Sequence, residues 1–172
     1  MKLLPRLILL LSILAAGTLA DQTTKSLARE KLIPGKTASY LFDTIRLVYT
    51  ENSGAFGSLG QNLPDIGRFI ILTVAPAFIL IILLIYIILS NKITPVQTAA
   101  FSMILTGGAN NIYNRVFDNC VIDFLNVGIG PVIRTFIFNI ADMLITFGFI
   151  IVILLVLFEK KGDKKKATPG NV

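Results

Sequence analysis

The sequence contains no histidine. That absence excludes a Ser-His-Asp triad, a Cys-His dyad and a histidine-ligated zinc. It contains one cysteine, Cys120, so neither an internal disulfide nor a multi-cysteine metal site can form. Charge is scarce as well: 15% of the 172 residues are charged, against about 25% in soluble chains. The apolar share of 54% says less than the way the charges cluster, because long stretches carry none at all. Of the sixteen basic residues, five sit in the last thirteen positions. The net charge of +6 is therefore a tail effect and not a nucleic-acid face, and no nucleic-acid partner is expected. A chain of this length suits a single domain.

Four apolar segments stand out, at residues 7–20, 69–89, 93–114 and 135–158. A helix needs roughly 20 apolar residues to cross about 30 Å of hydrocarbon. The second and fourth segments meet this alone; the fourth carries one charge, Asp142. The third is uncharged but polar at its far end. The first reaches the length only if Leu3 and Leu4 join it and Arg6 snorkels to the interface. That segment has a rival reading. Lys2 and Arg6, an apolar run and Gly17-Thr18-Leu19-Ala20 also form the pattern of a cleavable signal peptide.

The lysines orient a chain that crosses four times. Lys2 and Arg6, the short stretch Ser90-Asn91-Lys92 and the tail lysines Lys160, Lys161, Lys164, Lys165 and Lys166 fall on one side, which the positive-inside rule makes the cytoplasm. Both termini are then cytoplasmic, and residues 21–68 and 115–134 lie outside. Within the first outer loop, residues 22–32 have helical composition and extend helix one, and Ile33-Pro34-Gly35-Lys36 is a break. Residues 44–50 alternate as a strand. The expected architecture is all-α: four transmembrane helices with a small β-sheet element, about residues 40–62, on the extracytoplasmic side. One membrane domain covers 1–158. A Lys-rich cytoplasmic tail, read as disordered, covers 159–172.

Polar residues inside apolar segments are functional suspects. Asp142 is the clearest, about seven residues or roughly 10 Å into the fourth segment. Asn139 lies three residues earlier, placed to hold Asp142 or to line the same cavity. The competing reading is a polar clamp between helices. Asp123, flanked by apolar Ile122 and Phe124, meets Asp142 if its loop folds back on the bundle. Two carboxylates in one site do not both ionise easily, and such a pair suits activation of water. Gly107 and Gly108 suit close helix packing. Asn111 and Arg115 need partners at that depth, and phospholipid headgroups, a substrate carbonyl and Asp118 are the candidates for Arg115. Asp21 and Lys25 have helical ion-pair spacing, ordinarily a surface detail. Asn52 alone reads as a turn residue.

Taken together, these pieces resemble the prolipoprotein signal peptidases of bacteria, also called signal peptidase II. Asp21-Gln22-Thr23-Thr24-Lys25 is similar to the family's D-Q-x-[ST]-K, which makes segment one a retained helix. Asn52-Ser53-Gly54-Ala55-Phe56 resembles N-x-G-A-x-F, one residue shorter. Residues 107–115, from Gly107-Gly108 to Asn111 and Arg115, resemble G-G-A-x-G-N-x-x-D-R, again one shorter. Asn110 and Asn114 stand there where glycine and aspartate are usual. Val121-Ile122-Asp123-Phe124 and Phe138-Asn139-Ile140-Ala141-Asp142 look like the two catalytic-aspartate motifs.

The resemblance implies an aspartic endopeptidase of the bacterial cytoplasmic membrane that cuts diacylglyceryl-modified prolipoproteins just before the lipidated cysteine. It makes Asp123 and Asp142 the catalytic dyad near the outer face. Asn52, Gly54, Gly107, Gly108, Asn111, Arg115 and Asn139 would hold substrate or orient the dyad, and Asp21 with Lys25 would brace the rim. No cofactor and no metal is expected. The partners are the prolipoproteins and membrane phospholipids, and the protein is read as a monomer. Two rivals remain: a Lys25–Ser26 serine protease, whose adjacent residues do not face each other on a helix, and a small transporter or proton carrier with Asp142 as its titrating group.

Overall fold

The computed structural model describes residues 1–54, 60 and 62–166, with residues 159–166 described as helix backbone only. The Ala55-Phe56 end of the Asn52 motif, Gly57 and the side chains of the Lys-rich tail lie outside the described residues.

The chain runs α1 (Leu3–Lys31), β1 (Thr37–Tyr40), β2 (Ile45–Asn52), α2 (Asp65–Phe69), a π turn (Ile70–Val74), α3 (Ala75–Leu89), α4 (Pro95–Asp118), β3 (Val121–Ile129), β4 (Ile133–Arg134) and α5 (Ile140–Lys166). Among the described residues, three helical stretches are long and apolar enough to cross a membrane: Leu3–Lys31, Asp65–Leu89 and Ile140–Phe158. The strands form one antiparallel sheet in the order β1-β2-β3-β4.

α4 is not among the three, and its packing explains why. It lies against α1, α3 and α5. Its buried side chains include Thr98, Ser102, Thr106, Asn110, Asn111 and Asn114. A helix packed against its neighbours can be polar where it is buried, provided its groups are paired. Its start is well specified. Thr94 accepts from the Gln97 N–H, Gln97 Oε1 accepts from the Thr94 N–H, and Pro95 sits at the first helical position. It ends at Asn119, left-handed with φ 59°, which turns the chain into β3.

α1 is longer than the hydrocarbon requires. Its 29 residues rise about 43 Å. Ala28 on its last turns packs with Ile122 and Phe124 of β3, joined by Leu32, Leu47, Tyr49, Leu125 and Ile140, and this cluster seats the sheet on the helix. A second cluster of Leu10, Ile87, Ile93 and Leu105 ties α1, α3 and α4 together near the other end.

Two expectations need correction. Arg6 does not snorkel. It is buried, and its guanidinium donates to the carbonyls of Ile87 (2.9 Å) and Ile88 (3.0 Å) at the C-terminal end of α3. Unpaired terminal carbonyls attract a cation there, and the contact supplies them with donors. The fourth segment also does not become helical at residue 135. Thr135 donates its N–H to Val127 O (2.8 Å), and Phe138 exchanges backbone bonds with Leu125 (both 2.9 Å), so residues 135–138 are extended against β3. The helix begins at Ile140, and Asp142 lies in its first turn, not two turns deep.

Candidate active site

The strand contacts of Phe138 set the site. Its antiparallel bridge to Leu125 brings Asn139 level with Phe124 of β3, next to Asp123. Asn139 Nδ2 donates to Asp123 Oδ1 at 2.7 Å. The same residue starts α5: Asn139 Oδ1 accepts the Asp142 N–H (2.9 Å), and Asp142 Oδ2 accepts the Asn139 N–H (3.2 Å). This is a capping box built from Asn and Asp. The F-N-x-A-D stretch is thus a helix start whose capping side chain also reaches the other aspartate.

The remaining carboxylate oxygens are also held. Asn52 Nδ2 donates to Asp123 Oδ2 at 2.8 Å. Asn111 Nδ2 donates to Asp142 Oδ1 at 2.8 Å. Each of the four oxygens therefore has one amide donor. Asp123 sits opposite Thr50 of β2, beside a bulge where Val48 and Tyr49 face the single residue Phe124. Burial in this apolar strand raises the Asp123 carboxyl to about 6; the Asp142 charge adds to the rise, and the Asn52 and Asn139 amides oppose it.

Asp21 and Lys25 are not a surface detail. They are 0% and 3% exposed, and their ion pair measures 2.8 Å. Asp21 Oδ1 accepts the Ala141 N–H at 2.9 Å, a second cap on the first turn of α5. Lys25 Nζ also donates to Asn111 Oδ1 (3.2 Å) and Asn114 Oδ1 (2.8 Å). Removing one member of such a buried pair costs about 3–5 kcal/mol, because the other charge is left alone.

The glycines set the spacing. A Cβ on Gly107 would run into the Ala141 carbonyl oxygen, so only glycine lets α4 approach the first turn of α5 here. A Cβ on Gly108 would meet only the Leu80 side chain, 2.7 Å away. Gly54 donates its N–H to Asn52 Oδ1 (2.9 Å), and its carbonyl accepts from Arg115 Nη2 (2.8 Å). Arg115 Nη1 reaches Asn111 O at 3.4 Å, and its Nε is buried without a partner among the described residues. Ser53, Asp65, Arg68, Phe69, Leu72, Thr73, Arg115 and Asn119 line a cleft of about 440 Å³ beside this group.

The structure thus brings Asp21, Lys25, Asn52, Gly54, Gly107, Asn111, Arg115, Asp123, Asn139 and Asp142 into or beside one network, while Gly108 faces Leu80 of α3 and Ser26 is exposed. Sequence reasoning missed Gln22, whose Nε2 donates to Asp21 Oδ2 (3.1 Å) and Asn110 Oδ1 (3.1 Å). It also noted Asn110 and Asn114 only as departures. The helical spacing of Asn110, Asn114 and Asp118 on one helix, facing Asp21, Gln22 and Lys25 on another, was the available signal.

Among known proteins, the family described as Signal peptidase (SPase) II matches residues 13–158. The lipoprotein signal peptidase of Aquifex aeolicus is 37% identical over 158 residues, 91% of this chain and 90% of that protein. That of Francisella tularensis subsp. novicida is 38% identical over 144 residues, covering 83% and 87%. That of Chlorobium phaeobacteroides is 35% identical over 144 residues, covering 78% and 86%. A solved bacterial membrane enzyme shares the fold, with a TM-score of 0.77 at 24% identity over 95% of this chain and 93% of that one. The family match spans well over half the sequence, and on that ground the chain belongs to the signal peptidase II family and is a membrane protease.

Proposed function

We propose that this protease removes signal peptides from diacylglyceryl-modified prolipoproteins, cutting just before the lipidated cysteine, with Asp123 and Asp142 as an aspartic dyad. The observation that carries this reading is Asn139, whose amide holds Asp123 while its backbone and carbonyl are locked to Asp142. One side chain fixes both carboxylates relative to each other and to the start of α5.

In the proposed reaction one carboxyl is ionised and its partner holds a proton. Water attacks the scissile carbonyl carbon. The ionised carboxylate takes a proton from that water, and the neutral carboxyl gives its proton to the carbonyl oxygen. Collapse of the tetrahedral diol breaks the C–N bond. The carboxyl protonated by the water gives that proton to the amine nitrogen, the other carboxylate takes a proton from the diol, and the signal peptide leaves as the acid with the dyad restored. Asn52, Asn111 and Asn139 keep the carboxylates in place, Gly107 and Gly108 admit the close helix contact, and Asp21 with Lys25 braces the first turn of α5. Arg115, tied to Gly54, holds the wall of the cleft where substrate backbone would run.

The membrane arrangement is part of the same proposal. α1, the stretch 65–89, α4 and α5 each cross the cytoplasmic membrane, with both termini and the 159–172 tail cytoplasmic and the sheet on the outer face. Residues 1–158 form one protease domain that acts as a monomer among phospholipids. The transporter reading falls away with membership of a protease family. Incubating the purified protein with a diacylglyceryl-modified prolipoprotein should release the signal peptide, read as a mass loss. An uncut lipidated substrate alongside a cut unlipidated one would overturn the substrate assignment.

A further inference from the structure

The sheet carries large apolar side chains at one edge where a sheet in water would carry polar ones. Leu41, Phe42 and Asp43, between β1 and β2, have positive φ of 50°, 54° and 67°. None is a glycine, and a left-handed run is costly for Leu and Phe. Leu41 is 67% exposed and Phe42 105% exposed. At the β3–β4 turn, Ile129, Val132 and Ile133 are 78%, 87% and 71% exposed. Register puts the two tips side by side. Ile45 pairs with Val127, Gly128 donates its N–H to Thr44 O (2.9 Å), and Arg134 Nη1 donates to Asp43 O (2.8 Å).

Behind the tips lies a cationic collar. Arg46 and Arg134 both pair with the single carboxylate of Asp43, which leaves one positive charge in excess. The chain then returns from Ile133 through exposed Phe136 to Ile140, where a spanning helix begins. Ile140 follows Ile133 by seven positions, at most about 25 Å of extended chain, so this edge stays within reach of the bilayer surface. Apolar and aromatic side chains backed by basic ones are what the headgroup boundary of an anionic membrane selects. A contiguous exposed apolar patch marks a partner surface.

We propose that the two hairpin tips, Leu41 with Phe42 and Ile129 with Val132 and Ile133, insert into the headgroup boundary of the lipid leaflet and anchor the sheet that carries Asp123. The strained backbone at 41–43 holds the side chains in the protruding position that insertion requires. That this is the outer leaflet rests on the topology proposed above; insertion itself does not.

The chain has no tryptophan, so Phe42→Trp supplies a single reporter. In vesicles of phosphatidylethanolamine and phosphatidylglycerol its emission should be blue-shifted. It should lose most of its intensity when the acyl chains carry bromine near the headgroup. Lys36→Trp, at the far end of the same hairpin, should emit as in water and stay unquenched. Val132→Trp reports the second tip and serves if Phe42→Trp does not fold. Emission at both tips equal to that of Lys36→Trp would overturn the proposal. So would a blue shift that appears only on adding prolipoprotein, which would make the tips a substrate-docking surface. A cysteine at Ser39 labelled by an impermeant reagent reports the side of the membrane separately, so a wrong topology and a failed insertion give different results.

Discussion

Replacing Asp123 with asparagine should make the protein more stable at neutral pH while it stops working. Burial raises the Asp123 carboxyl from 3.8 to about 6. At about 1.4 kcal/mol for each pH unit, holding it ionised at pH 7.5 costs the folded state about 3 kcal/mol. Asparagine removes that cost. It also brings a penalty of its own, because both Asp123 oxygens accept from amides, of Asn52 and Asn139, and an asparagine can accept on only one. The mismatched amide returns about 1–2 kcal/mol. The net expectation is a gain of about 1–2 kcal/mol, or a few degrees in the melting temperature. The pH dependence identifies the cause. A carboxyl whose folded pKa is raised contributes fully below its unfolded value and loses that contribution as pH rises through about 6. The variant should therefore melt below the parent near pH 4, by the roughly 1–2 kcal/mol of the mismatched amide, and overtake it as pH rises to 7.5. Circular dichroism melts in detergent at pH 4, 5.5 and 7.5 check this. A variant less stable than the parent at pH 7.5, or a gap that ignores pH, would refute the reasoning.

Three further outcomes follow from the same contacts. Arg115→Ala should lower cleavage about 10–100-fold by freeing the Gly54 carbonyl, and Arg115→Lys should not restore it, since the guanidinium serves two carbonyls at once; rates on a lipidated prolipoprotein decide. Gly107→Ala should cost about 1–3 kcal/mol and most of the activity, because its methyl meets backbone, while Gly108→Ala, which meets only the end of Leu80, should stay near wild type in both melts and cleavage. Single cysteines at Ser39 and Lys164 in a Cys120→Ser background should be labelled by an impermeant reagent in intact cells at 39 only; labelling at 164 would invert the topology.

Much of the candidate site was legible as a grouping of residues because it is written in short motifs. Asp21, Lys25, Asn52, Asn111, Arg115, Asp123, Asn139 and Asp142 all fall into one hydrogen-bonded group. The helical extension of α1 and the strand at residues 44–50 were readable from composition and alternation. What could not be read depends on distant pairing. Residues 135–138 are apolar enough to continue the fourth segment, but the Val127 and Leu125 backbones draw them into the sheet. Tertiary pairing overrides local pattern there. β3 is mostly apolar and carries no alternation to mark it as a strand. The burial of Asp21 and Lys25 was invisible because one of their partners, the Ala141 N–H, is 120 residues away in the chain. Arg6 looked like an interfacial cation because the α3 carbonyls it meets are 81 and 82 residues on.

The dyad itself is tested most directly by single-turnover cleavage of a diacylglyceryl-modified prolipoprotein by Asp123→Asn, Asp142→Asn and the double variant. Each protein should first be shown to be folded and inserted in the membrane. If the two carboxyls act as one unit, each single variant loses cleavage, and the double variant is no worse than either, because losses within a unit do not add. Cleavage retained by either single variant, at a rate the second substitution then lowers further, would contradict a shared dyad and remove that aspartate from the chemistry.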